Sequence, residues 1–332
     1  MKAAVIGSGA WGTALAVRLY LNGHTVVLWT HRAQHAQEMN ATHQNTRLPG
    51  IALPEKMVIT AEPACVTGCD MVVFVCPSFS MRDVCRKVAP HLEQNAIVVC
   101  ATKGIEEDSL FRMSQVVSQE TGKEVVVLTG PSHAEEVARE IPTGCLAACA
   151  NKKLAEAVQD AFMSENFRIY TSPDAVGAEL GGALKNVIAL CAGVTDGLGY
   201  GDNTGALLMT RGLTEIARLG LSLGACRDTF AGLAGVGDLI VTCTSGHSRN
   251  RRAGILIGQG NTPEAAMQQV GAVVEGYYAA RSAWALCQKQ GVDMPILRAA
   301  YAVLYEGESA ADVVRTLLHR RKKTESEDAG WI

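Results

Sequence analysis

Along the first half of the chain, short apolar runs alternate with stretches of helical periodicity. "AAVIG" (3–7) leads into an amphipathic segment reaching about Leu21, and "TVVLW" (25–29) follows it. Further runs are "MVVFVC" (71–76), "AIVVCA" (96–101), "EVVVLTG" (124–130), "CLAACA" (145–150) and "FRIYT" (167–171). Several are apolar at consecutive rather than alternate positions, the pattern of strands covered on both faces. Strands alternating with helices predict an α/β fold with a doubly wound, mostly parallel sheet.

After Thr171 the strand runs largely stop. Ser172 is a candidate N-cap, Pro173 stands at the first helical position and Asp174 falls in the first turn of the helix they predict. Helical patterns follow near 204–223, 250–259, 263–270, 275–290, 294–306 and 309–319. The chain therefore divides into residues 1–178, the α/β part, and 179–319, an all-α part, with the change of pattern between about 172 and 180. No low-complexity linker separates them, so the two parts are expected to pack across a cleft. Residues 320–332 are charged and aperiodic and read as a solvated, flexible tail, with a basic docking segment in "RRKK" as the alternative.

Composition narrows the function classes. The 332 residues are 48% hydrophobic and 19% charged, with a formal net charge of -3. That charge offers no electrostatic reason to expect nucleic acid or an anionic membrane as a partner. No apolar run approaches the roughly 20 residues of a membrane span, and the N-terminal apolar stretch is too short for a signal-peptide core. The expectation is a cytoplasmic protein without membrane insertion. The 11 cysteines sit mostly in apolar runs and read as reduced structural thiols, with a redox-active pair as the alternative. Cys65/Cys69 and Cys145/Cys149 lack the histidines of a zinc site, so no metal is expected.

The first chemistry-bearing feature is "VIGSGAWG". Gly7, Gly9 and Gly12 fall in G-x-G-x-x-G spacing directly after a strand and at the start of a helix. Gly7 permits the tight turn, Gly9 lets a pyrophosphate approach the backbone and Gly12 allows close helix–strand packing, so residues 1–178 read as a dinucleotide-binding Rossmann domain. At the end of the second strand, where an NAD site commonly carries an acid, the chain has Thr30, His31 and Arg32. Arg32 is placed to neutralise a 2′-phosphate, which favours NADPH over NADH; an ordinary surface arginine is the bland alternative.

Three further stretches hold polar groups that packing does not explain. Lys103 in "CATKGIEED" lies just beyond a parallel strand, where ligands of open α/β sheets sit, though a solvated loop lysine fits too. Ser132 in "LTGPSHAEEVA" is a site hydroxyl or a helix cap. In "GLAGVGDLIVTCTSGHSRNRRAG", Asp238 stands in glycine-rich apolar surroundings. Ser248, Arg249 and Asn250 offer a hydroxyl, a guanidinium and a carboxamide at a helix start, which is either a phosphate cradle or a basic surface turn. Finally, Lys185 in "ELGGALKNVIAL" is the only Lys or Arg between Arg168 and Arg211. Ala178, Gly181, Gly182, Ala189 and Ala192 share its helix face and let another body approach closely. A lone ammonium packed only against protein is costly. In a cleft near a second cation, Lys103, and oriented by Asp238, its pKa falls toward that of a general acid working near neutrality.

The strings "GxGxWGTALA", "ATKG", "GPSxAxEVA", "ELxGALKNVxAL", "GLAGxGDLxxTCxSxxSRNRxxG" and "VVEG" occur in one order along nearly the whole chain. Together they resemble NAD(P)-dependent glycerol-3-phosphate dehydrogenase of the bacterial type; only 33–56 and the tail after about 319 lie outside the resemblance. It implies reversible reduction of dihydroxyacetone phosphate to sn-glycerol 3-phosphate, the backbone precursor of glycerophospholipids, with NADPH or NADH. It further implies a homodimer, each subunit joining a Rossmann domain to a helical domain like that of 6-phosphogluconate dehydrogenase. By that resemblance Lys185 is the proton donor and acceptor, and Lys103, Gly130, Ser132, Asp238, Ser248, Arg249 and Asn250 are substrate positions. Ala10, Trp11, His31, Arg32, Lys103, Ala134, Arg249, Val273 and Glu275 are its cofactor positions. Ala10 departs from relatives that carry serine there, which leaves a backbone contact but removes a side-chain one. Two rivals stand beside this reading: another dehydrogenase of the β-hydroxyacid group, and a non-catalytic NADP-sensing module.

Overall fold

The computed structural model describes residues 1–322, 324 and 325; the rest of the expected tail lies outside the described residues. Among them, one eight-stranded sheet runs in the order β3-β2-β1-β4-β5-β6-β7-β8. The strands are β1 Lys2–Ile6, β2 Thr25–Trp29, β3 Val58–Thr60, β4 Met71–Phe74, β5 Ile97–Cys100, β6 Val125–Thr129, β7 Thr143–Ala148 and β8 Phe167–Ser172. Helices α1 Ala10–Leu21, α2 Ala33–Thr42, α3 Met81–Val88, α4 Met113–Thr121, α5 Ala134–Ala138 and α6 Lys152–Phe162 cover it. The consecutive apolar positions have the predicted cause. Ala3, Val5, Met71 and Val73 enter one buried cluster, while Ala4, Ile6, Val72 and Phe74 enter another on the opposite face.

Strands β1 to β6 are parallel and follow the dinucleotide-fold order, with its switch point between β1 and β4. Two details differ from the sequence pattern. The edge strand β3 is only three residues long, too short to show a period. Strand β7 runs antiparallel to β6, and β8 parallel to β7. The link between β6 and β7 carries only the five-residue α5, so the chain turns back rather than crossing over.

The second half is helical: α7 Ala175–Gly197, α8 Asp202–Ser222, α9 Arg227–Ala231, α10 Asp238–Thr244, α11 Arg249–Gly258, α12 Pro263–Val270, α13 Glu275–Gln290, α14 Pro295–Tyr305 and α15 Ala310–Leu318. Helix α7 is capped by Asp174, whose side chain accepts from the Gly177 amide, and not by Ser172, which ends β8. The division expected between residues 178 and 179 falls inside this helix. Long and apolar enough to cross a membrane, contrary to the sequence reading, α7 has 83% of its apolar window buried inside the protein. It is the central core helix.

Its closest neighbour is α11. Gly193 and Gly197 face Gly254 and Gly258, and a Cβ on any of the four would collide with a backbone carbonyl of the other helix. This approach fixes where the start of α11 stands relative to Lys185. Gly254→Ala should cost about 1–3 kcal/mol through overpacking, read as a lower midpoint in thermal unfolding; an unchanged midpoint would show that the helices can separate freely.

Candidate active site

The glycine turn has the geometry of a phosphate cradle. Gly7 has φ +129°, and a Cβ on it would lie 2.5 Å from the Val75 carbonyl oxygen; one on Gly12 would collide with the Gly7 carbonyl. A Cβ on Gly9 would meet nothing within 4 Å. Two glycines are thus required by packing, and the middle one leaves open space before the amides that start α1, followed by Ala10 and the half-buried Trp11. Asn45, 1% exposed, donates to the Ser8 carbonyl and to Thr13, at 2.9 and 2.7 Å, and braces the turn.

At the end of β2, His31 and Arg32 are exposed, and Arg32 Nε stands 3.2 Å from His31 Nε2. Burial lowers the His31 pKa, and the charges of Arg32, Arg47, His35 and Lys87 lower it further. Arg47 was passed over in the sequence because it lies in an irregular loop. That loop is pinned by Asn45, which accepts from the Arg47 amide at 3.0 Å.

Helix α7 carries Lys185 into the centre of the site. Lys185 is 6% exposed and Asp238 is 0% exposed. The Lys185 ammonium donates to Asp238 Oδ1, and to Thr242 Oγ1 at 2.6 Å. Lys103, at the end of β5, donates to the other Asp238 oxygen at 2.8 Å and to the Gly130 carbonyl at 3.4 Å. Two ammonium groups therefore share one buried carboxylate, joining residues from three separate stretches of chain. Burial lowers the Lys185 pKa; Asp238 partly offsets this, and the Lys103 charge adds to the fall, bringing it to about 7. For Lys103, burial opposes the charge but Asp238 outweighs it, and the pKa rises. Asp238 raises both pKa values, but at Lys185 burial and the Lys103 charge outweigh it, which leaves Lys103 a cation and Lys185 a titrating group.

The small residues around Lys185 do not open its face as the sequence suggested. A Cβ on Gly181 would collide with the Ala234 carbonyl in the π-helical turn Leu233–Gly237, and one on Gly182 would lie 2.8 Å from Thr129 Oγ1 and 3.6 Å from the Lys103 side chain. The body that approaches is protein. Gly181 admits the turn that delivers Asp238, and Gly182 admits Thr129 at the end of β6, with the Lys103 stem in ordinary contact beside it. Thr242 was missed, although it stands four residues after Asp238 on the same helix face. Glu179 was missed as well. Buried at 6% exposure, it accepts from the Ser114 amide at 2.7 Å, the Ser114 hydroxyl at 2.5 Å and Arg112, tying α7 to the start of α4.

The SRN triplet lies at the start of α11, beside this cluster, but only part of it is free. Ser248 is the N-cap, its oxygen accepting from the Arg251 amide at 3.2 Å. Asn250, 8% exposed, accepts from the Gly276 amide at 2.8 Å and donates to Asn186 Oδ1 at 2.9 Å. The carboxamide thus joins α7, α11 and α13. Arg249 is exposed and has no ion pair among the described residues, so its guanidinium and the helix amides remain for an anion. Val273 precedes α13, and Glu275 begins it, accepting from Ser78 Oγ at 3.2 Å. Burial raises the Glu275 pKa, while Ser78 and Arg249 hold it down. Gly130, at φ +143°, turns the chain out of β6; Ser132 bonds back to its carbonyl at 3.0 Å, and Ala134 starts α5.

Residues 2–155 match the N-terminal region, and residues 174–315 the C-terminal region, of NAD-dependent glycerol-3-phosphate dehydrogenase. The chain is 50% identical over 326 residues to glycerol-3-phosphate dehydrogenase (NAD(P)+) of Thermoanaerobacter sp. strain X514, covering 98% of this chain and 99% of that one. It is 52% identical over 333 residues to the enzyme of the same name from Pelotomaculum thermopropionicum, covering 98% and 95%. The crystal structure of glycerol-3-phosphate dehydrogenase from Coxiella burnetii superposes with a TM-score of 0.93 at 36% identity, covering 96% of this chain and 99% of that one.

Proposed function

The chain belongs to the NAD(P)-dependent glycerol-3-phosphate dehydrogenase family, and from that premise we propose which of its residues perform the reaction. The reaction is NAD(P)H-dependent reduction of dihydroxyacetone phosphate to glycerol 3-phosphate, an oxidoreductase step at a CH–OH group that supplies the glycerophospholipid backbone. One observation carries the residue assignment: Lys185 and Lys103 share the buried Asp238.

The bound nicotinamide cofactor supplies the hydride. Lys185 Nζ gives its proton to the substrate oxygen as alkoxide develops there, and recovers it in the reverse direction. Lys103, which keeps its charge, stabilises the same oxygen electrostatically. Asp238 and Thr242 hold Lys185 in place. Arg249 and the amides at the start of α11 take the phosphate, with Gly130, Ser132, Ser248 and the remaining Asn250 N–H completing the substrate wall. On the cofactor side, the amides from Gly9 to Gly12 face the pyrophosphate, with Ala10, Trp11, Ala134, Val273 and Glu275 along its length. Residues 1–178 act as the cofactor domain and 179–319 as the substrate domain, and the product is the sn-3 enantiomer. Cytoplasmic residence fits the free cysteines. A homodimer fits the exposed Tyr200, Leu207 and Leu221 on and before α8.

NADPH is the preferred cofactor because Arg32 and Arg47 gather positive charge at the end of β2, beside a His31 that burial and those charges keep neutral. Arg32→Ala should lower kcat/KM for NADPH by about 10- to 100-fold, the loss of a charge-assisted bond, and leave that for NADH within about threefold. An equal fall with both cofactors would remove Arg32 from the 2′-phosphate site. Assaying NADPH oxidation with dihydroxyacetone phosphate against 2- and 3-keto acids tests the whole reading. Turnover of dihydroxyacetone phosphate alone is expected; preference for a keto acid would favour the β-hydroxyacid rival.

A further inference from the structure

The loop after β4 and the first turn of α13 come from opposite halves of the chain and touch each other twice. Ser78, 8% exposed, bonds to Glu275. Beside that bond Phe79 and Tyr278 stand with ring centroids 5.9 Å apart and planes at 49°, within the range of an attractive aromatic pair. Phe79 is nevertheless 66% exposed and Tyr278 43%. Tyr278 also meets Tyr277 edge-on, with centroids 5.5 Å apart, but Phe79 joins none of the buried clusters, and an exposed phenylalanine at the carboxyl end of a strand calls for another explanation.

The position of the loop supplies it. Its base is fixed on one side by the glycine turn, since a Cβ on Gly7 would lie 2.5 Å from the Val75 oxygen. On the other side it meets the Lys103 loop: Thr102 Oγ1 donates to the Cys76 carbonyl at 2.8 Å, and a Cβ on Gly104 would lie 2.6 Å from Ser78 Cβ. The loop therefore lies between the phosphate-cradling turn and the catalytic lysines. A dinucleotide stretched from the Gly9 amides to Lys185 would have to run past this loop.

We propose that Phe79 and Tyr278 are positioning residues for the cofactor, the two jaws of an aromatic latch that closes over the bound dinucleotide. The latch rests on the dinucleotide reading of this cleft. The rings part to admit the cofactor and meet again behind it, so the pair controls cofactor release and leaves the hydride step alone. The Ser78–Glu275 bond beneath them breaks and re-forms with each opening, and ties the half-buried carboxylate to the loop while the rings are together.

The test is stopped-flow displacement of NADPH from the wild type and from Phe79→Ala, Tyr278→Ala, the double variant and Phe79→Trp. Each single truncation should speed release by about two- to tenfold, the size of one aromatic pair. The double variant should release no faster than the faster single, and Phe79→Trp should restore slow release. Single-turnover reduction from preformed complexes should stay within about twofold of wild type. Unchanged release in both singles, or additive effects in the double, overturns the latch. Failure of the wild type to bind NADPH would instead overturn the dinucleotide reading, and the latch with it. Since Phe79 is largely exposed, its truncation leaves the fold intact, and a shared melting temperature verifies this.

Discussion

Lys185→Ala should reduce dihydroxyacetone phosphate about 10³- to 10⁴-fold more slowly than the wild type, while binding NADPH within about threefold of it. The magnitude is that of losing a positioned proton donor, at the upper end because Lys103 alone cannot replace it. Lys103 holds its proton against Asp238, with its pKa raised, and so offers charge without acidity. The cofactor cradle lies at Gly7 to Gly12, on a different strand end, and does not depend on the lysine. Stopped-flow measurement separates the two effects, because binding appears as fluorescence quenching and hydride transfer as the later loss of reduced-nicotinamide absorbance. A variant that binds NADPH normally and still reduces substrate at the wild-type rate would remove Lys185 from the chemistry.

Asp238→Asn should be worse for the protein as a whole. It keeps the shape of a fully buried side chain but leaves two ammonium groups without their counter-charge. Removing one partner of a buried pair costs about 3–5 kcal/mol, enough to lower the thermal midpoint by several degrees. Asp238 also raises the Lys185 pKa, which stands at about 7, so its loss lowers that pKa and leaves Lys185 mostly without a proton at pH 7. The variant should therefore be both less stable and nearly inactive at neutral pH, with activity partly returning in acid. A stable Asp238→Asn protein with unchanged activity would mean that the carboxylate does not hold the lysines.

The sequence made the first half of the molecule readable because its signals are local. Strands buried on both faces, a glycine triplet after a strand and the absence of an acid after β2 each lie within a few residues. The site was legible in its residue types: Lys185, Lys103 and Asp238 could be named because a charge among small apolar residues calls for a partner. Their pairing through a single carboxylate, across separations of 53 and 135 positions, had no local trace. Small residues proved ambiguous for a physical reason. Gly181 and Gly182 mark close approach, but the pattern does not say whether a ligand or the protein does the approaching; here it is the Ala234 carbonyl and the Thr129 hydroxyl. The same limit applies to Asn250, whose polar type suggested a ligand and whose carboxamide also ties Asn186 to Gly276. Glu179 and Arg47 went unnoticed because an acid on a helix and an arginine in a loop are unremarkable until their neighbours are known.

The central claim is that burial, partly offset by Asp238 and reinforced by the Lys103 charge, sets Lys185 at a pKa of about 7, so that one lysine titrates while the other does not. The direct measurement is the pH dependence of kcat/KM for reduction in the wild type and in Lys103→Ala, since this parameter reports groups on the free enzyme. Reduction needs Lys185 protonated, so the wild-type profile should be level in acid and fall as pH rises through about 7. Removing the Lys103 charge, and freeing all of Asp238 for Lys185, must raise that pKa. The falling limb of the slower variant should then move to higher pH. A limb that stays in place, or moves toward acid, would contradict the account.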